Sequence, residues 1–395
     1  MISFDEAVAV IRRIAAPVGT LSVPIHLAAG RVLAEPVIAW IDSPRADVSA
    51  MDGYAVRDAD LSDRPVKLAI IAESFAGSGW NGVISAGQCA RIFTGATVPE
   101  GADRVIMQEM VTRDGATALI VDDPGPARHI RARASDFRVG EEMLAAGRLL
   151  DKRAIVAAAG ADLGAVIVHT RPRVAIVSTG DELVEPGCAV AGADSIPDSV
   201  ALGVAALVAE WGGETVLRER AGDSLDLLTE AARRAVDKGD LVVVTGGASV
   251  GERDFAKAMF APLGLEPLFE KVAIKPGKPV WLGRVGDRLM MGLPGNPTSA
   301  LVTARLLLAP LLAGLSGRDP GDAHRWRPAL LAAPLLQCGG RETFHRARWA
   351  GDLVELIGFQ DSSAQRALAE AELLVRQRPD APAQAAGEAV QVLAF

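Results

Sequence analysis

The sequence predicts a multidomain protein of the α/β plus β class. A parallel-sheet α/β domain is preceded by a helical and β-rich region and followed by a second β-rich unit. Three observations carry this. From Arg173 onward, apolar runs alternate with amphipathic stretches, the pattern of a parallel sheet covered by helices on both faces. Before Arg173, short apolar runs are separated by Gly and Pro, as in a β-rich unit. After Ala329, short strand-like runs return. With 395 residues, half of them apolar, the chain can build roughly two to four cores.

The elements follow in order. Ser3-Phe-Asp-Glu6 is a capping box, and Phe4, Val8, Ile11 and Ile14 share a helix face that ends before Pro17 and Gly19. Residues 21–27 read as extended and 28–34 as a short helical piece. Residues 42–49 read as a polar loop. Residues 66–73, 89–93, 104–110 and 118–121 read as strands, residues 128–140 as irregular, and residues 152–163 as a helix. Residues 173–178 are a strand, 200–211 a helix, 214–220 a strand and 226–236 a helix. Residues 241–244, all Leu or Val, fit a strand buried on both faces. Residues 255–262 read as a short helix and 296–312 as a long one. Residues 316–321 form a linker, and residues 330–336, 344–349, 353–356 and 389–393 are strands.

Three loops in the α/β segment carry the chemistry. Thr245-Gly-Gly-Ala-Ser-Val-Gly-Glu-Arg-Asp254 joins a buried strand to a helix start. Gly246, Gly247 and Gly251 permit close backbone approach, and Ser249 and Asp254 supply polar groups. Lys275-Pro-Gly-Lys278-Pro279 is a stiff turn with two ammonium groups. Leu293-Pro294-Gly295-Asn296-Pro297 enters the next helix. In an open α/β sheet, such loops meet beyond the carboxyl ends of the strands. Together they suit a phosphate-rich ligand. The turn is not a P-loop, because no Gly-Lys-Ser/Thr ends it. Gly247-Ala-Ser249-Val-Gly251 also matches the nucleophile elbow of serine hydrolases, with His324 and His345 as candidate partners.

Composition narrows the classes. A net charge of −8 and a single Tyr disfavour nucleic acid as a ligand. No apolar run is expected to reach the ~18 residues of a membrane span, and the start lacks a signal-peptide pattern. Cys89, Cys188 and Cys338 are scattered, which points to a reducing cytoplasm and away from structural zinc. A bound metal is expected to be a hard ion on carboxylates.

Four stretches, in this order, resemble the molybdopterin molybdenumtransferase family, the MoeA-like proteins related to the gephyrin C-terminal domain. They are Ser49-Ala-Met-Asp-Gly-Tyr-Ala-Val56; Arg91-Ile-Phe-Thr-Gly-Ala-Thr-Val-Pro99 with Val105-Ile-Met-Gln-Glu109; Pro172-Arg-Val-Ala-Ile-Val-Ser-Thr-Gly-Asp-Glu-Leu183; and the three loops just described. The resemblance implies a discontinuous linker unit (1–50 and 141–171), an inserted β-rich domain (51–140), a molybdopterin-binding α/β domain (172–318) and a C-terminal β-barrel (319–395). It implies a homodimer that inserts molybdate into adenylated molybdopterin and releases AMP, with Mg²⁺ as cofactor. An upstream molybdopterin adenylyltransferase or acceptor proteins are the partners it suggests.

The resemblance also implies roles. Asp181, Glu182, Asp223, Asp254, Lys275, Lys278, Asp52 and Thr94 are the catalytic candidates, with Glu182, Asp223 and Asp254 as metal ligands. Gly246, Gly247, Ser249, Gly251, Pro294, Gly295, Asn296, Pro297, Arg341 and Ser362 are the ligand-binding candidates. Asp223 is equally a residue type that caps the following helix. Asp52 and Thr94 serve the site only if a partner subunit supplies them. Four positions depart from the family pattern: Val200 replaces Asn, Ser135 replaces Glu, Asp361 replaces Gly and Glu372 replaces Asn. Molybdopterin adenylyltransferase and a non-catalytic scaffold paralogue are the alternatives.

Overall fold

The computed structural model describes residues 1–247 and 255–395. Its central sheet runs Glu214–Ala221, Arg173–Thr179, Leu241–Thr245, Arg288–Leu293, Trp281–Val285 and Glu266–Phe269. The first four strands are mutually parallel, and the last two extend the sheet as antiparallel neighbours. The expected parallel sheet is therefore four strands of a six-stranded mixed one. Alternate side chains divide its core. Val174, Ile176, Leu241 and Val243 face helix Ser199–Glu210 and helix Pro297–Leu315. Ala175, Val177, Val242 and Val244 face Leu228, Ala231 and Ala235 of helix Leu225–Lys238. Burial on both faces is what the unbroken apolar run at 241–244 encodes.

Helix Pro297–Leu315 is long and apolar enough to cross a membrane, yet 94% of its most apolar window is buried inside the protein. Its Arg305 lies over the Trp211 ring and donates to the carbonyls of Ala394 and Ala323. The helix is thus a core element that seats a charge.

Helix Phe4–Ile14 starts at the expected capping box, with Glu6 N–H donating to Ser3 Oγ and Ser3 N–H donating to Glu6. It departs from the expected linker unit, because Phe4, Ala7 and Ile11 pack into the α/β core. The linker unit itself is built by Thr20–Pro24 pairing with Ala165–His169, Val37–Ile38 pairing with Glu142–Leu144, and helix Lys152–Gly160. Residues 28–34 are not helical. Val32 and Leu33 instead bridge to Leu149 and Val168, which buries both side chains.

The inserted domain is a six-stranded sheet in the order Arg104–Met107, Gly53–Val56, Gln88–Ile92, Val66–Ser74, Thr117–Ile120 and Val111–Asp114. The C-terminal unit closes, because Glu342–Ala350 pairs with both Leu353–Leu356 and Leu373–Gln377 around Arg327–Leu331 and Ala389–Ala394. The result is a five-stranded barrel. The short strand Ile274–Lys275 adds to it alongside Glu342 and Thr343.

Phe4, His324, Trp326 and Phe344 join the N-terminal helix to the barrel, with Phe4 edge-on to His324 and Phe344. His324 Nε2 lies 2.8 Å from the Leu306 carbonyl oxygen. Burial pushes its imidazole pKa down to about 4, against the weaker upward pull of that carbonyl. The folded pKa lies below the ordinary 6.5, so the unfolded chain binds the extra proton between these values. Stability present above pH 6.5 is therefore lost as pH falls toward 4, by about 3 kcal/mol from this group. Urea denaturation at pH 7 and pH 4.5 checks it. The wild type should lose more stability than His324→Gln over that interval, and equal losses would clear His324 of the effect.

Candidate active site

The site forms where the parallel strands end. Thr179-Gly180, Gly246-Gly247 and Pro294-Gly295 come together there and line a cavity of about 760 Å³. The approach demands glycine at 246, where a Cβ would lie 2.6 Å from the Thr179 carbonyl oxygen; one on Gly295 would make ordinary contact, 3.4 Å from Gly246 Cα. Gly246 also holds φ +88, the left-handed region. Beneath the cavity, Thr245 Oγ1 donates to Ser178 Oγ at 3.2 Å, and Ser178 Oγ donates to Asp198 Oδ2 at 2.8 Å. The other Asp198 oxygen accepts from Ala201 N–H and caps helix Ser199–Glu210.

The cavity gathers many of the expected residues. Glu182, Asp223, Lys278, Gly246, Gly247, Pro294, Gly295, Asn296 and Pro297 all line it. Asp181 stands just behind, accepting the Asp223 N–H at 3.0 Å and so fixing the turn that carries Asp223. Ser224, not Asp223, occupies the cap position of the following helix. Lys275 separates from Lys278. It lines a second cavity of about 450 Å³ with Arg341, His345 and Cys338. The cause is its pairing with the barrel strand at Thr343. Ser249, Gly251 and Asp254 lie outside the described residues. The candidate hydrolase partners do not reach the main cavity: His324 is bonded to Leu306, and His345 lies 3.0 Å from Gln377 Oε1.

Asp52 and Thr94 form a pair on the inserted domain, away from this cavity. Asp52 Oδ1 accepts both the Thr94 N–H and the Thr94 hydroxyl at 2.7 Å. These two bonds, with the nearby Arg91 charge, hold the Asp52 carboxyl below its usual pKa. Arg91, which opens the second family stretch but was given no role there, lies over the Tyr54 and Phe93 rings and donates to the Gly53 carbonyl.

The barrel supplies one wall. Ser363 and Gln365 face the cavity, and Asn296 Nδ2 donates to Ser362 Oγ at 2.9 Å. Asp361 replaces the expected glycine and accepts the Ser363 N–H at 2.8 Å and its hydroxyl, which orders this loop. Glu372 accepts the Trp349 N–H at 2.8 Å. Val200 is buried in the first turn of helix Ser199–Glu210, and Ala134 beside Ser135 takes a left-handed φ of +57. Lys271, Thr179 and Asp198 also line the cavity without having been singled out. Thr179 sat inside a recognised motif, whereas nothing local marked Lys271.

Arg346 fastens this wall. It is 1% exposed and donates to Thr298 Oγ1, to the Ala364 carbonyl and to the carbonyls of Phe359 and Asp361 at 3.0–3.3 Å. Removing the guanidinium takes the donor from the buried Thr298 hydroxyl and from three part-buried carbonyls. Arg346→Met should lower unfolding stability by about 3 kcal/mol and expose residues 359–365 to limited proteolysis. An unchanged cleavage pattern would show that the loop holds without Arg346.

Comparison with known proteins agrees with this architecture. Residues 2–161 match the MoeA N-terminal region (domain I and II), 175–314 a probable molybdopterin binding domain, and 328–395 the MoeA C-terminal region (domain IV). The molybdopterin molybdenumtransferase of Nostoc sp. is 36% identical over 339 residues, 82% of this chain and 75% of that one. The enzyme of the same name from Haemophilus influenzae is 34% identical across 100% of this chain and 99% of its own. A crystal structure of a molybdopterin biosynthesis MoeA protein from Pyrococcus horikoshii superposes with a TM-score of 0.85 at 30% identity, covering 100% of this chain and 99% of that one. These matches span every domain, and the chain belongs to the molybdopterin molybdenumtransferase (MoeA) family.

Proposed function

We propose that this chain is a transferase of molybdenum cofactor biosynthesis that inserts molybdate into adenylated molybdopterin and releases AMP. The carrying observation is the convergence of three bare-backbone loops with Lys278, Glu182 and Asp223 on one cavity. Peptide N–H groups and an ammonium suit anionic oxygens. The carboxylates suit proton transfer as molybdate oxo groups leave as water. The pterin's own sulfurs bind the metal, so the chain needs no cysteine cluster.

Mg²⁺ fits the residues present. Among the described residues no three His, Cys, Asp or Glu side chains gather to hold a metal by themselves. Two carboxylates, Glu182 and Asp223, nonetheless face the same cavity. Mg²⁺ is commonly held by one or two carboxylates together with substrate phosphates. When bound it would neutralise phosphate charge and polarise the anhydride. The chain's own part is to hold the ion's site open and to place Lys278 against the anionic substrate. Lys275 and Arg341 offer positive charge in the second cavity. The three unpaired cysteines suit a cytoplasmic setting, where an adenylyltransferase would supply the substrate.

AMP release from adenylated molybdopterin, measured with and without molybdate, tests the reading. Release should depend on molybdate. Transfer of AMP from ATP onto the pterin would instead identify an adenylyltransferase. Lys278→Met removes one charge-assisted contact and should slow release about ten- to a hundredfold while leaving circular dichroism unchanged.

Asp52 and Thr94 lead to a second expectation. Their paired, ionised geometry serves the chemistry if the partner of a symmetric homodimer brings them to the cavity. Mixing the impaired Asp52→Asn and Lys278→Met proteins should then restore about a quarter of the wild-type sites after subunit exchange. Demonstrated exchange without recovery would place Asp52 outside the chemistry or within its own chain's site.

A further inference from the structure

The barrel brings an ionised group to its side of the main cavity. The residues it places on the lining, Ser363 and Gln365, are neutral. Asp361 stands two residues before Ser363 and is exposed, and its Oδ1 accepts both the Ser363 N–H and the Ser363 hydroxyl. Those two bonds, and to a lesser degree the Arg346 charge, hold the Asp361 carboxyl below its usual pKa, so it is ionised near neutral pH. Arg346 does not take up that charge directly. Its donors go to Thr298 Oγ1 and to main-chain carbonyls, that of Asp361 among them. Glycine, the residue expected at 361, would carry no such charge.

Two effects follow for a ligand. Lys271 and Lys278 on the same lining attract an anion, which then meets a carboxylate behind the barrel's hydroxyls. Like charge disfavours the bound anion and leaves a neutral ligand untouched. Asp361 also occupies the Ser363 N–H and hydroxyl, two donors that suit an anionic oxygen. We propose that Asp361 is a specificity-determining residue whose carboxylate weakens the cavity's hold on oxyanions such as molybdate, with no effect on neutral ligands. This rests on the function proposed above and deepens it, since that reaction brings a molybdate dianion and an adenylated pterin to one cavity.

Asp361→Asn tests the charge alone, because the amide oxygen can still accept from Ser363. Molybdate and adenosine are the probes, titrated calorimetrically against the full-length protein. Asp361→Asn should bind molybdate about threefold more tightly than the wild type, the scale of one exposed charge interaction, and bind adenosine equally. Asp361→Glu keeps the charge and should bind molybdate as the wild type does. Equal molybdate affinity in the wild type and Asp361→Asn would overturn the proposal. So would equal tightening for adenosine or in Asp361→Glu, either of which would trace the effect to the shape of the wall. Molybdate binding to none of the three proteins would also overturn it, because the carboxylate would have no bound anion to act on. Wild-type AMP release is measured in parallel. If release is absent while Asp361→Asn still tightens molybdate, the proposed reaction fails and the charge effect stands. If release is normal and Asp361→Asn binds molybdate as the wild type does, only the charge effect fails.

Discussion

The structure depends on bare backbone meeting bare backbone at the ends of the central strands. Gly246 lies so close to the Thr179 carbonyl that no side chain fits between them, and Gly295 closes in from the next strand. Parallel strand order makes this possible, because it brings the three loops to one edge of the sheet. The barrel then presses its loop against the entrance through Asn296, Thr298 and Ser362. A cavity results that is lined by residues of both domains, several of them glycine and proline. Such a lining can approach a ligand closely without losing side-chain entropy.

Charge is distributed by the same logic. The chain carries −8 overall, yet the cavity mixes ammonium groups with carboxylates. A local arrangement of this kind can draw an anionic substrate into an acidic protein. Elsewhere, guanidiniums tie the chain's ends together. Arg376 and Arg378 both donate to Asp5 of the first helix, and Arg376 also pairs with the buried Glu342 of the barrel.

Much of this was legible before folding was known. Alternating strand and helix patterns placed the elements from Arg173 to Thr245 within a residue or two, because both periods are written directly into the apolar positions. The glycine loops were legible because close approach leaves glycine no substitute. Two kinds of feature were not. Residues 28–34 look helical by composition, but Val32 and Leu33 pair with partners more than a hundred residues away, which no local window contains. Lys275 and Lys278 look like one cluster, yet strand pairing with the barrel turns Lys275 toward a different cavity. Three strands of the sheet, Glu266–Phe269, Trp281–Val285 and Arg288–Leu293, and the barrel strand Leu373–Gln377 were also missed, because their place is set by pairing with distant partners.

Arg346 has a consequence for how the molecule responds to its solvent. Its donors go to carbonyls and to a hydroxyl, all electrically neutral. Dissolved salt screens pairs of exposed charges such as Arg378 with Asp5, whose side chains are more than half exposed. It has little purchase on a buried cation held by neutral oxygens. Acid, by contrast, can act at this joint through Asp361, whose carboxylate accepts from Ser363 and lies near the Arg346 charge. The junction between barrel and sheet should thus keep its shape across ionic strengths that slacken the clasp between the chain's two ends, so the cavity is insulated from the ionic composition around it.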